Sequence, residues 1–257
     1  MSKLALDNKF IDVSDYGRPA ARFFAKRLLD TSFTPVHVTL LFGICGLCAV
    51  YCILHGYFYA AGIFLILKSI IDAADGELAR MKQTPSYTGR YLDSIFDSIL
   101  NFLFLSAIAY ISNESIFLVL FAFGCFELQC TLYNYYYVIL RNNSVGGDTT
   151  SKIFENEKPI AFPGENQKTV NVLYYIFNIL YRPFDKFAHF LDKKAIEISD
   201  FPNWFMTSLS VYGLGFQLLL MAILLAFNLA AYILPFFIFY SVLIFIFIGI
   251  RKVFIKI

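Results

Sequence analysis

Charge is scarce in this sequence. Asp, Glu, Lys and Arg make up 16% of its 257 residues, against 58% for hydrophobic residues. The charges fall in blocks between long apolar runs, which argues against a second soluble domain and points to a polytopic membrane protein. No nucleic-acid partner is expected. The first forty residues lack a short apolar core ahead of a small-residue cleavage site, so no removable signal peptide is expected and the first span should itself direct insertion. Cysteine is also sparse, and its count of five is odd. Cys45, Cys48, Cys52, Cys125 and Cys130 all lie in apolar helical segments. They therefore read as small buried hydrophobes, although Cys45 and Cys48 have the spacing of a metal or redox pair.

The long apolar runs are abundant. Spans of roughly 20 residues can be laid out six times: Val38 to Leu54, Phe58 to Ile71, Tyr91 to Ile111, Ser115 to Leu140, Trp204 to Phe227 and Ala230 to Ile250. The second reaches full length only by running on through Asp72 to Ala79, and the third begins with Asp93 and Asp97. Carboxylates thus sit where two helices enter the bilayer, and charges at such depth are costly and usually functional. The expected fold is an all-α integral membrane protein with six transmembrane helices and an interfacial N-terminal helix. Residues 1–33 form a cytoplasmic N-terminal segment and 34–257 a catalytic transmembrane domain, with a cytoplasmic loop and a second interfacial helix at about 141–203.

Basic residues set the orientation. Six precede the first span (Lys3, Lys9, Arg18, Arg22, Lys26, Arg27) and three lie between the second and third (Arg80, Lys82, Arg90). Eight follow the fourth (Arg141, Lys152, Lys158, Lys168, Arg182, Lys186, Lys193, Lys194) and three close the chain (Arg251, Lys252, Lys256). The opposite loops, near Gly56, Asn113 and Asn228, have none, so the positive-inside rule puts both termini and the aspartates in the cytoplasm. Lys68 is the one basic residue left inside a span.

Tyr16 to Leu29 mixes Phe23, Phe24, Leu28 and Leu29 with Arg18, Arg22, Lys26 and Arg27, the pattern of a helix lying in the membrane interface. Thr34-Pro35 then forms an N-cap with proline in the first turn, where the first span starts. In the fourth span Glu127 sits near mid-membrane with Gln129 close by and Asn134 further along. The carboxylate is either functional or pairs with Lys68 or a neighbouring helix. Tyr133, Tyr135, Tyr136 and Tyr137 follow as an interfacial belt, although an acceptor pocket could use the same groups. Asn142 to Asn171 is polar and without periodicity, a loop placed to order over a site. Val172 to Ala195 reads as the second interfacial helix, because Arg182, Asp185 and Lys186 interrupt it too early for a span.

The densest chemistry lies between Asp72 and Asp97. On helices, Asp72, Asp75 and Ala79 share one face, and Gly89, Asp93 and Asp97 stack on one face of the next segment. Two helices would then bring two carboxylates each to a common point. Four like charges that close repel one another unless a multivalent cation lies among them, and hard oxygen ligands suit Mg²⁺ or Mn²⁺.

The arrangement Asp72-x2-Asp75-Gly76-x2-Ala79-Arg80-x8-Gly89-x3-Asp93-x3-Asp97 resembles the signature of the CDP-alcohol phosphotransferases (CDP-alcohol phosphatidyltransferases), matching at all eight fixed positions. Thr34, Pro35 and Thr39 also agree with the way the first span of such proteins opens, although Val36 replaces their asparagine. The resemblance implies transfer of a substituted phosphate group, such as phosphatidyl, from a CDP-alcohol such as CDP-diacylglycerol to an acceptor alcohol, with release of CMP. It implies Asp72, Asp75, Asp93 and Asp97 as metal ligands, with Asp97 also the base that takes the acceptor proton. Gly76, Ala79 and Gly89 would leave room for the CDP moiety, and Arg80 would contact its phosphate or pyrimidine. A homodimer is implied as well. The run Asp75 to Arg80 leans towards the branch that makes inositol-phosphate phosphodiesters, and Lys68, Arg141 and the basic loop could bind a phosphorylated acceptor. Two alternatives stay open: an intramembrane prenyltransferase, which would need more spans and a second Asp-rich motif, and a carboxylate-lined divalent cation transporter, which would leave the glycines and Arg80 unexplained.

Overall fold

The computed structural model describes residues 10–143 and 152–255. Lys3, Lys9 and Lys256 of the basic blocks, and residues 144–151 of the polar loop, lie outside the described residues. Ten α-helices make up the described chain, with no strand among the described residues: α1 (Arg18–Leu28), α2 (Pro35–Leu54), α3 (Phe58–Lys82), α4 (Tyr87–Ile111), α5 (Ile116–Asn143), α6 (Gln167–Leu191), α7 (Asn203–Leu209), α8 (Leu214–Ala226), α9 (Ile233–Tyr240) and α10 (Val242–Phe254).

Among the described residues, four stretches are long and apolar enough to cross a membrane: α2, α4, α5 and the run Ala230–Phe254 that includes α9 and α10. A fifth arises if Asn203–Tyr212 and Leu214–Ala226, bent by 50° at Gly213, are one broken span. The chain is a multi-pass membrane protein on this pattern. Helix α3 is long enough at 25 residues but carries Lys68, Asp72, Asp75, Glu77, Arg80 and Lys82, which keeps it out of the apolar set. Leu40, Leu41, Ile44, Leu47 and Tyr51 on the outer side of α2 are all about half exposed. A row of that kind is suited to acyl chains rather than water.

Local chemistry starts each helix near the site. Thr34 accepts from His37 N, and His37 Nδ1 accepts from Thr34 N at 3.1 Å, a reciprocal cap with Pro35 in the first turn. Ser86 accepts from Gly89 N at 2.8 Å to cap α4. Gln83, with φ 53°, closes α3 in the left-handed region, its N–H directed to the carbonyls of Ala79 and Arg80.

Helix α2 packs against both α3 and α4, while α3 also contacts α1 and α8. A Cβ at Gly46 would lie 2.6 Å from Leu100 of α4. The bare backbone there is what lets α2 and α4 approach so closely, as small residues do in membrane bundles. Helix α1 buries Ala21 and Ala25 against its neighbours and leaves Phe23 and Phe24 outward. On its inner side Arg18 and Arg22 turn to the buried Glu77 of α3, at 2.5 and 3.4 Å, so half of the basic set expected to face headgroups serves as a clamp. Helix α6 begins at Gln167, five residues earlier than Val172, because Asn166 caps it by accepting from Lys168 N at 2.8 Å. Glu127 bonds a neighbouring helix and not Lys68: Asn101 donates to it at 3.0 Å. All five cysteines are free thiols.

The C-terminal helix is tied down by a buried charge. Asp192 Oδ2 accepts from Arg251 Nε and from Tyr136 OH, both at 2.6 Å, and both charged side chains are at most 4% exposed. Arg251→Met leaves the Asp192 carboxylate buried without its counter-charge, so stability should fall by about 3–5 kcal/mol. Thermal unfolding in detergent should show the drop, with a smaller loss in the Asp192→Asn/Arg251→Met double variant, where no charge is stranded. An unchanged midpoint in Arg251→Met would refute the clamp.

Candidate active site

Because α3 and α4 are both held against α2, the four aspartates converge. One oxygen each of Asp72, Asp75 and Asp93 lies within 4.8 Å of the others. Asp75 is buried and accepts from Thr39 Oγ1 of α2 at 2.8 Å. Asp72 Oδ2 accepts from Lys68 Nζ at 2.7 Å. Asp93 Oδ1 is buried with no hydrogen-bond partner, and such an orphan on a carboxylate calls for an explanation. Three carboxylates, one with an unsatisfied oxygen, form a hard-oxygen donor set of the right size and charge for Mg²⁺ or Mn²⁺. The residues present fit such an ion.

Asp97 stands outside this group. Its Oδ1 accepts from Lys68, so one ammonium joins Asp97 of α4 to Asp72 of α3. Lys68 is wholly buried, and its Nζ lies 4.6 Å from the centre of the Phe42 ring. Sequence reasoning singled out Lys68 without this role. The available signal was spacing: Lys68 is four residues before Asp72 on a helix, where side chains meet.

A cavity of about 430 Å³ opens beside the carboxylates. It is lined by Asp75 and Asp93, by all four residues expected to receive the nucleotide (Gly76, Ala79, Arg80 and Gly89), and by Thr39, Arg90 and Arg141. A Cβ at Gly76 would lie 3.4 Å from Arg80 Nη1, so the bare glycine is where the guanidinium lies down along α3. Arg80 is also held by Glu77 at 3.2 Å. Arg141 Nε is buried in the cavity wall without a hydrogen bond. The wall therefore joins carboxylates at one end to three guanidinium groups, the furnishing expected of a site for a metal-bound phosphate ester.

The loop before α6 closes over this end of the bundle. Glu165 accepts from Ser86 Oγ and Thr88 N at 2.7 Å, from Phe162 N at 3.0 Å and from Tyr87 N at 3.2 Å, satisfying the first turn of α4. Glu155 pairs with Arg90 and accepts from Tyr91 OH at 2.8 Å. Neither glutamate was singled out from the sequence, because its partners at the start of α4 lie more than 60 residues away along the chain. Arg90 was counted there only as a loop charge.

Over residues 33–191, more than half of its length, the sequence matches the family described as CDP-alcohol phosphatidyltransferase, and the chain belongs to that family. Among curated relatives it is similar to the bifunctional IPC transferase and DIPP synthase of Aquifex aeolicus, 39% identical over 83 residues, which is 32% of this chain and 19% of the relative. The protein of the same description from Archaeoglobus fulgidus is 38% identical over 76 residues, covering 29% of this chain and 16% of the relative. That from Thermococcus kodakarensis is 47% identical over 57 residues, 22% of this chain and 13% of the relative. The match thus spans less than a fifth of the length of each of these relatives.

Glu165 makes the loop pH-sensitive. Burial alone would raise its carboxyl, but the donors from Ser86, Thr88 and Phe162 outweigh it and hold it below the ordinary 4.5. A depressed folded value means that the stabilisation is complete above the unfolded value and is lost as pH falls through the folded one. Protection of residues 152–166 from limited proteolysis should therefore be constant from neutral pH down to 4.5 and then decline. In Glu165→Gln the step should vanish. The same step in both proteins would show that another group is responsible.

Proposed function

We propose that the chain transfers a substituted phosphate group from a CDP-alcohol to an acceptor alcohol and releases CMP. The observation that carries this reading is the single cavity in which Asp75 and Asp93 meet Gly76, Ala79, Arg80 and Gly89. Asp72, Asp75 and Asp93 hold Mg²⁺ or Mn²⁺, and the pyrophosphate of the donor lies beyond them against Arg80. Held by those three carboxylates, the ion would supply Lewis-acid stabilisation of the charge that develops on the transferred phosphate. Gly76, Ala79 and Gly89 admit the nucleotide against the backbone, where larger side chains would fill the space. Asp97, oriented by Lys68, accepts the proton of the acceptor hydroxyl as that oxygen bonds to the β-phosphorus and CMP leaves.

The donor is CDP-diacylglycerol in this reading, since the cavity opens in a bundle whose outer surface is apolar, and the role is in phospholipid biosynthesis. The acceptor is a phosphorylated polyol of the inositol-phosphate type. Supporting this are the guanidinium groups of Arg90 and Arg141 in the cavity wall and the similarity to relatives described as IPC transferase and DIPP synthase. Six spans complete the arrangement, with α3 crossing alongside the apolar helices and the bent pair counted as one. Both termini and the aspartates face the cytoplasm, α1 and α6 lie in the interface, and the protein is a homodimer. The amphipathic build of α6 supports its place: Tyr174 and Phe177 are buried while Tyr175, Ile179 and Phe190 are exposed.

CMP release from CDP-diacylglycerol in liposomes tests the whole reading, and divalent-ion flux without CMP release would replace it with a transporter. Asp97→Asn should slow single-turnover CMP release by roughly 10²–10⁴-fold while CDP-alcohol affinity stays near wild type. Asp72→Asn should instead shift activity to higher Mg²⁺ and weaken donor binding with it. Near-normal turnover in the first variant, or an unchanged metal requirement in the second, would overturn the respective role.

Arg141→Ala separates the two substrates. It should raise the KM for inositol phosphate or glycerol phosphate more than the KM for the donor. Preferred use of serine, ethanolamine or choline as acceptor would overturn the phosphorylated-acceptor assignment.

A further inference from the structure

Lys68 is an unusual companion for a metal site. It is fully buried, it rises from α3 one turn before Asp72, and its ammonium is shared by carboxylates from two helices. The Phe42 ring, 4.6 Å from Nζ, faces the same charge. Three donors of an ammonium can satisfy two carboxylate oxygens and a ring face together. That is the coordination a small cation would otherwise supply between Asp72 and Asp97. The other carboxylate grouping, Asp72, Asp75 and Asp93, shares Asp72 with the lysine and keeps an orphan oxygen on Asp93.

We propose that Lys68 is a resident cation that takes the place of a second divalent ion, so that the site binds a single Mg²⁺ or Mn²⁺, at Asp72, Asp75 and Asp93. The inference rests on the metal-site reading above and adds its stoichiometry. Two-metal sites place their ions about 3.5–4 Å apart. An ammonium already within hydrogen-bond reach of Asp72 and Asp97 fills the space between them and repels a further dication there. A lysine is also permanent, unlike an exchangeable ion. It keeps Asp97 oriented and charge-paired whether or not the metal is present, and it makes Lys68 a positioning residue for the proposed base.

The test is a Mn²⁺ titration of the full chain in detergent after chelator treatment, following free Mn²⁺ by electron paramagnetic resonance. The wild-type chain should bind one Mn²⁺. Lys68→Met should bind two, with the spectrum of an exchange-coupled pair. No Mn²⁺ bound by the wild type would overturn the metal-site reading and this inference together. Two bound by the wild type would overturn this inference alone, and needs no variant. One bound by a folded Lys68→Met would likewise overturn it. Asp97→Asn provides a further check: it should still bind one ion, because Asp97 holds the ammonium, and loss of that ion would place Asp97 on the metal and overturn the proposal.

Discussion

Carboxylates buried between apolar helices must be neutralised where they stand, and most of the polar architecture of this bundle follows from that requirement. A charge taken out of water costs several kcal/mol unless a partner is supplied. Asp72 and Asp97 share Lys68, Asp75 has Thr39, Glu77 gathers Arg18, Arg22 and Arg80, Glu127 has Asn101, and Asp192 has Arg251 and Tyr136. Set against these, Asp93 has a buried oxygen with neither a hydrogen bond nor an ion pair among the described residues. It lies in the grouping of Asp72, Asp75 and Asp93, which borders the cavity.

Helix α2 is the means by which the carboxylates meet. It carries no acidic residue, yet it seats α3 on one side and α4 on the other, and it lends Thr39 to Asp75 and Phe42 to Lys68. The glycines on its α4 side keep the helices close enough for carboxylates on separate segments to fall within 4.8 Å of one another. The loop before α6 adds a second constraint through Glu155 and Glu165, which tie it to the start of α4. Arg90, paired to Glu155, is thereby held at the cavity wall. The described part of the loop thus holds the start of α4 in place.

The alternating blocks of charge and apolar residues determine by themselves that this is a helical membrane protein, because a bilayer accepts only segments whose backbone polar groups are satisfied internally. Helical periodicity likewise determines that Asp72 and Asp75 share a face and that Asp93 and Asp97 share another, and the Thr34-Pro35 start of α2 is a matter of local capping chemistry. These are short-range properties, written in residues a few positions apart. What only the tertiary structure decided is which charges meet. Lys68 bridges to Asp97 across 29 residues of chain and not to Glu127, Glu165 reaches Ser86 across 79, and Arg251 finds Asp192 across 59. Each of those choices depends on which helix faces packed together, and packing is set by the fit of small and large side chains on several helices at once. No window of sequence contains that sum, so the carboxylates were legible beforehand while the lysine that binds two of them together was not.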